Sequence, residues 1–210
     1  MKTVSEYRTI SGLICRERKE RKSLFISLVY PVETENDIEL LLQKIKKEYY
    51  DANHRCYAYK LLNGKTRFAD DGEPHHTAGL RIFNAIEHFD LNNVLVVVVR
   101  YFGGTKLGVG PLGKAYYDSA YEALKAARIL TLNLHDKFIL SFDFSHETQL
   151  IKFLKSNNAK IVKQDYLTEV TYECLIPSQS VAQIIKSVKE LTNGKIQIEA
   201  SEEKVFVESL

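Results

Sequence analysis

The stretch Val94–Ala127, VLVVVVRYFGGTKLGVGPLGKAYYDSAYEALKAA, decides how the rest of the chain is read. It opens on an unbroken apolar run, Val94 to Val99, rich in β-branched residues and too short for a helix, which predicts a strand buried on both faces. It closes on Lys114–Ala127, where Ala115, Tyr116, Ser119, Ala120, Ala123, Leu124 and Ala127 recur at three- and four-residue spacing. That spacing predicts a helix with a small-residue face, suited to lying close against a sheet. Between strand and helix fall Gly103, Gly104, Gly108, Gly110 and Gly113, half of the chain's 10 glycines, together with Arg100, Lys106 and Lys114. A buried strand, a glycine-rich loop and a helix start in succession offer backbone N–H groups to an anion.

Upstream, Tyr7–Ile14 predicts a first strand broken at Gly12, and Ser23–Val29 a second. The run Arg16–Lys22 (RERKERK) mixes both signs of charge and reads as a solvated turn or strand edge. Thr34-x-x-Asp37 marks a helix start, and Ile38, Leu41, Leu42, Ile45 and Tyr49 supply one apolar face. Arg55–Leu62 reads as a strand ending in the tight turn Asn63-Gly64. The polar loop Phe68–Gly79 follows, with Thr77 placed to cap a helix that buries Leu80, Phe83, Ile86 and Phe89. Downstream the pattern restarts. Lys137–Phe144 alternates as a strand, Glu147–Asn157 is helical, Ala159–Tyr166 and Thr168–Ile176 are strands, and Val181–Leu191 is helical. Ile196–Ala200 and Val205–Val207 close in strand. The order β-α-β-β-α-β is the split-βαβ, ferredoxin-like plan. A boundary is therefore expected near residues 130–136, with one domain over 1–132 and a second over 136–210, in an α+β protein.

At 210 residues the chain suits one large or two small domains, and 45% hydrophobic content is enough for a core. The net charge of +2, from 29 basic and 27 acidic residues, means that any basic surface must be local. Cys15, Cys56 and Cys174 are odd in number and form no CxxC pair, which fits a reducing compartment and gives no disulfide framework or zinc ribbon. The N-terminus lacks a signal pattern and no apolar run reaches membrane length, so a cytoplasmic protein without a membrane partner is expected.

Gly108-Val-Gly-Pro-Leu-Gly113 matches G-x-G-x-x-G, but about eight residues separate it from the strand end, whereas a dinucleotide fold turns almost at once. No P-loop spacing is present. What remains is a generic anion cradle: loop amides, the helix N-terminus after Pro111, and Arg100, Lys106 and Lys114 as counter-charges; alternatively the glycines only let the loop turn and pack. Asp70-Asp71-Gly72-Glu73, with His75 and His76 after it and His54 and Cys56 before it, reads two ways. It is a metal site or carboxylate acid/base pair, or a charged turn in which Asp70 or Asp71 bonds loop amides. Its spacing matches no zinc or calcium loop, and no metal or cofactor is assigned. Tyr57, Tyr59, Tyr101, Phe102, Tyr116 and Tyr117 fall around the basic positions, as side chains that stack on unpaired bases do, and equally as a tyrosine-rich core and rim would.

His54-x-Cys-x-Ala58, Asp70-Asp-Gly-Glu-Pro74, Thr77-Ala-Gly79 and Arg100-Tyr-Phe-Gly-Gly-x-Lys-Leu-Gly108, followed by Gly110 and Ala115-Tyr116, together resemble the YigZ/IMPACT family over residues 1 to about 130. The remainder looks like the C-terminal domain of its bacterial members. The resemblance implies an N-terminal domain with the fold of the second domain of a small-subunit ribosomal protein, a βαβ-type sheet with helices on one side, and a ferredoxin-like C-terminal domain. Eukaryotic members regulate translation by binding a partner in the amino-acid-starvation pathway. Two departures from the family pattern stand out: His75-His76 where small residues are usual, and Pro111-Leu-Gly113-Lys114 where Gly-Leu-Val-Arg is usual. The second keeps a positive charge but gives up the arginine fork.

The functional expectation is a translation-associated regulator that binds RNA, the ribosome or a translation-factor protein through the basic glycine loop. Arg100, Lys106, Lys114 and the amides of Gly103, Gly104, Gly108 and Gly110 would hold phosphates, and Tyr57 and Tyr101 would stack. The alternative is a metal- or nucleotide-dependent enzyme acting on a phosphate-containing substrate through Asp70, Asp71, Gly72 and Glu73, with Thr77 and His54 beside them.

Overall fold

The computed structural model describes residues 4–208. They divide into two compact units, one spanning Tyr7–Leu130 and the other taking the remaining described residues.

The first unit is built on one sheet. Its strands are β2 (Ile14–Glu20), β3 (Ser23–Pro31), β4 (His54–Lys60), β5 (Thr66–Ala69) and β6 (Val94–Tyr101), in the order β2-β3-β6-β4-β5 with every neighbouring pair antiparallel. Ahead of them, β1 (Glu6–Ile10) contributes Ile10 to the core. The apolar run Val94–Val99 is the middle strand and is fully buried. Its even-numbered members, Val94, Val96 and Val98, pack with helices α2 (Gly79–His88) and α3 (Val109–Lys125). Its odd-numbered members, Leu95, Val97 and Val99, pack with Ile38 and Ile45 of α1 (Glu35–Glu48). The expectation of a βαβ-type sheet with helices on one side is corrected here: the sheet is antiparallel and helices cover both faces. A strand that is apolar at both parities needs a layer on each side.

Local signals explain most of the elements. Thr34 Oγ1 accepts from the Asp37 N–H (3.1 Å) and Asp37 Oδ2 from the Thr34 N–H (2.9 Å), a reciprocal cap for α1. The charged run Arg16–Glu20 lies on edge strand β2, and Arg21-Lys22 turns the chain into β3. Two elements depart from expectation. β5 follows the Asn63-Gly64 turn as a short, mostly exposed edge strand with no apolar alternation to mark it. Helix α3 begins at Val109 rather than Lys114, so Gly110, Pro111 and Gly113 are helical. Pro111 sits in the first turn, where its missing N–H has no intrahelical partner to lose. Gly113 leaves room for α2: a Cβ there would lie 3.3 Å from Arg81 Nε.

The second unit has the strand order β10-β7-β9-β8, antiparallel throughout, from β7 (Ile129–Phe142), β8 (Lys160–Tyr166), β9 (Val170–Pro177) and β10 (Gln197–Glu208). Helices α4 (Glu147–Ser156) and α5 (Val181–Leu191) join its core through Leu150, Leu154, Ile184 and Val188. Residues 133–135, left between the two domains in the sequence reading, belong to β7. The two closing strand segments form one strand, β10, with an irregularity between Ala200 and Lys204. No helix among the described residues is long and apolar enough to cross a membrane.

Candidate functional site

The registers of β4 and β6 pair His54 with Arg100 and Cys56 with Val98, on the face covered by α2 and α3. Above the first pair a pocket of about 420 Å³ opens between the acidic loop and the glycine loop. His54, Glu73 and Arg100 line it from within, Asn53, Pro74, Phe102 and Lys106 from the rim, and Leu107, Gly108, Val109 and Leu112 from the start of α3.

The charges inside it are tightly engaged. Glu73 Oε1 accepts from Arg100 Nη1 (2.6 Å) and from the Tyr116 hydroxyl (2.7 Å), and His54 Nε2 lies 3.8 Å from the same oxygen. The Arg100 and Glu73 side chains are only 6% and 4% exposed, so each is the other's main charge compensation in a poorly hydrated site. The Arg100 guanidinium lies 5.5 Å from the ring centroids of both Phe25 and Phe102, and its Nη2 reaches Ser23 Oγ at 3.5 Å. Arg100 Nε has no hydrogen-bond partner. His54 Nδ1 is 2.8 Å from the Asp71 carbonyl, which can only accept, so Nδ1 carries a hydrogen and Nε2 is turned toward Glu73. Cys56 donates its one thiol hydrogen to the Asp70 carbonyl (2.9 Å), and its sulfur lies 3.4 Å from the Tyr116 oxygen. Burial pushes the Cys56 thiol and the Tyr116 hydroxyl well above their ordinary values, so both hold their protons at neutral pH. A Cys56–His54 nucleophile pair is therefore not formed: each is engaged elsewhere and the thiol stays protonated.

The acidic loop turns its first two carboxylates onto backbone. Asp70 Oδ1 accepts from the N–H groups of Ala78 (3.1 Å) and Gly79 (2.8 Å), and Oδ2 from that of His76 (2.9 Å). Burial acts to raise the Asp70 carboxyl, but the His76, Gly79 and Ala78 donors outweigh it and hold it below the usual range. The cap of α2 thus comes from Asp70 and not from Thr77, whose hydroxyl donates to the Pro74 carbonyl (2.6 Å). Asp71 Oδ2 accepts from the Arg55 N–H (2.7 Å), and Gly72 takes a left-handed φ of 87°. Among the described residues no group of three or more His, Cys, Asp or Glu side chains is arranged to hold a metal. Of the loop's carboxylates, Glu73 is the one that lines the pocket.

The glycine loop has the opposite character. Gly103 lies flat on the β2–β3 turn, where a Cβ would come 2.1 Å from the Lys22 carbonyl carbon, and its N–H donates to Ser23 Oγ (3.2 Å). Gly104 and Gly108 have φ of 83° and 84°, which the chain's course requires there. Gly108 precedes α3 with no side-chain cap; Pro111 has no N–H and the Leu112 N–H bonds the Gly108 carbonyl (2.9 Å), so the first-turn donors left at this end, among the described residues, are those of Val109 and Gly110. Lys106 is exposed and makes no ion pair among the described residues. Gly110 lies within that first turn.

Three expected members lie elsewhere. Lys114 pairs with Asp118 (3.0 Å) and does not line the pocket. Tyr101 and Tyr57 pack on the α1 face, opposite Arg100, because adjacent strand residues point to opposite sides. The Tyr101 hydroxyl donates to Asp51 (2.8 Å), and Tyr57 lines a separate groove with Tyr59 and Arg67. The aromatic ring at the pocket is Phe102, 43% exposed. Sequence reading also missed Asn53, whose Oδ1 accepts from the Phe102 N–H (2.7 Å), as well as Pro74, Leu107, Val109 and Leu112 as parts of the site. The parity of β4 and β6, counted from His54 and Cys56, was the signal that separates Tyr57 and Tyr101 from the rest.

An antiparallel sheet of this order, with a pocket between an acidic and a glycine loop of the first unit, defines a two-unit α+β protein. Residues 21–124 match the Impact N-terminal domain, and residues 140–195 match a domain of unknown function, DUF1949. The chain is 32% identical to the IMPACT family member YvyE of Bacillus subtilis (strain 168), over 86% of this chain and 84% of that one. It is 27% identical to the IMPACT family member YigZ of Escherichia coli (strain K12), over 87% and 92%. Protein IMPACT of Homo sapiens is 34% identical over 42% of this chain and 29% of that protein. A crystal structure of a hypothetical protein superposes with a TM-score of 0.63 at 25% identity, covering 96% of this chain and all of that one. The chain belongs to the IMPACT family.

Proposed function

We propose that this protein is a translation-associated regulator that binds RNA, on the ribosome, by holding its phosphates at the Gly103–Gly108 loop. The observation that carries this reading is that the start of α3 beside the pocket has no side-chain cap and adjoins Lys106, which makes no ion pair among the described residues. A helix N-terminus carries a partial positive charge and directs its free donors at an anion, and an adjacent lysine adds a full charge. The exposed Phe102 ring supplies the stacking surface first expected of Tyr57 and Tyr101. The acidic loop adds little to a metal-dependent enzyme, since Asp70 and Asp71 are already engaged by backbone donors.

Family membership supports the translational context. We further read the first unit as the fold of the second domain of a small-subunit ribosomal protein and the second unit as ferredoxin-like; the order β10-β7-β9-β8 supports the latter. The test is co-sedimentation with ribosomes and with total RNA over a salt series. Association that weakens steeply with salt is expected. Absence of association at low salt overturns the RNA reading, and salt-insensitive capture of a single translation factor replaces it with a protein partner.

A further inference from the structure

We propose that the Arg21–Lys22 turn is a second phosphate-contacting element, a basic lip that carries an RNA strand from the glycine loop onto the β2–β3 hairpin. The inference rests on the RNA-binding reading of that loop and adds residues and a direction to it. The turn joins Glu20 to Ser23, which pair across the hairpin, so its two residues form the whole connection. Both are left-handed, with φ of 42° at Arg21 and 70° at Lys22. That is the pattern of a type I′ turn, which Asn-Gly and Asp-Gly fill readily and side chains with a full Cβ substituent resist.

Elsewhere the chain follows the rule. Among the described residues two other consecutive pairs are left-handed, Asp71-Gly72 (42° and 87°) and Asn193-Gly194 (51° and 77°). Only at residues 21–22 does it place two long cationic side chains in this conformation. The turn gains nothing in stability from them, so what they add is charge at a set position.

That position adjoins the candidate site. The backbone of Lys22 and Ser23 is the surface on which Gly103 rests, and Ser23 Oγ accepts from the Gly103 N–H (3.2 Å) and faces Arg100 Nη2 (3.5 Å). Arg21 and Lys22 are both exposed, and neither makes an ion pair among the described residues. Their neighbour Arg18 is compensated by Asp118 (3.2 Å) and Glu20 (3.6 Å). Uncompensated cations thus lie on both sides of Gly103, Lys106 on the pocket side and Arg21 with Lys22 on the hairpin side. A single small anion needs only the pocket. Cations continuing beyond it fit a polyanion whose charges repeat along a chain, and the exposed Phe102 ring fits one with bases to stack.

The experiment measures binding of single-stranded RNA over a salt series for wild type, R21N/K22G and R21Q/K22Q. The first variant installs the residues a type I′ turn favours, so its melting temperature rises by a few degrees while its affinity falls. The second removes the charges and keeps long side chains. Both are expected to flatten the log-affinity against log-salt slope by about 1.4, since each phosphate contact on a single strand contributes about 0.7. Wild-type binding with an unchanged slope in both variants overturns the lip and leaves the glycine-loop reading standing. No RNA binding by wild type at low salt overturns both.

Discussion

The two loops that border the pocket, one dense in carboxylates and the other in glycine, use their charges in opposite ways. In the loop Asp70–Glu73 every carboxylate faces the protein: Asp70 caps α2, Asp71 holds the Arg55 N–H, and Glu73 neutralises Arg100. In the loop Gly103–Gly108 the Gly103 N–H is taken by Ser23 Oγ, whereas Lys106 is exposed and makes no ion pair among the described residues. Satisfied charges stabilise a fold; unsatisfied ones are available to a ligand. Removing a carboxylate of the first loop should therefore act on stability, and removing Lys106 of the second on binding.

The largest effect is expected at Glu73. Glu73→Ala leaves Arg100 buried without its carboxylate and should cost about 3–5 kcal/mol in urea unfolding of the first unit. The double change Glu73→Leu/Arg100→Met should cost much less than the sum of its parts, because no lone buried charge remains. Gly103→Ala comes next, at about 1–3 kcal/mol, since the added methyl meets the Lys22 backbone and the loop must shift. A smaller loss for Gly104→Ala, about 1 kcal/mol, would separate steric contact from left-handed strain, because open space surrounds that position.

Asp70→Ala should lose about 1–2 kcal/mol by uncapping α2. This contribution depends on pH. The Asp70 carboxyl is held below its ordinary value, so its stabilisation is fully present above the ordinary carboxylate range. It is lost as pH falls through the lowered folded-state value. As pH falls below the ordinary carboxylate value the wild type should therefore lose stability faster than Asp70→Asn, as followed by circular dichroism. At the small end, Lys106→Ala should change the unfolding free energy by less than about 0.5 kcal/mol, as an exposed residue with no ion pair among the described residues does.

Much of this was legible before any coordinates. The run Val94–Val99 announced a central strand, and the three- and four-residue spacing after Lys114 announced the face that α3 buries. The order of strands and helices after residue 136 is also the one the periodicity predicts. The start of α3 was hidden because Gly-Val-Gly-Pro-Leu-Gly has the composition of a loop. Those residues are helical because Leu112, Ala115 and Tyr116 pack against the sheet, and tertiary burial outweighs weak propensity. The placement of Tyr57 and Tyr101 was readable by counting parity from His54, and so was the need for helices on both faces of β6. The Glu73–Arg100 pair was not: it joins residues 27 positions apart through side-chain contact, which no local pattern encodes. The reading of the acidic loop as a charged turn in which Asp70 or Asp71 bonds loop amides did anticipate the bonds Asp70 makes to the N–H groups of His76, Ala78 and Gly79, although the α2 cap itself was expected from Thr77.

The most direct test of the account compares two lysines eight residues apart in the same stretch. Lys106 lines the pocket and makes no ion pair among the described residues, whereas Lys114 is tied to Asp118 and does not line it. Salt-dependent binding of single-stranded RNA should be measured for wild type, Lys106→Ala and Lys114→Ala. The account predicts that Lys106→Ala lowers affinity and flattens the salt slope by about 0.7, while Lys114→Ala leaves both near wild type. Equal losses from the two variants, or none from Lys106→Ala, would contradict it.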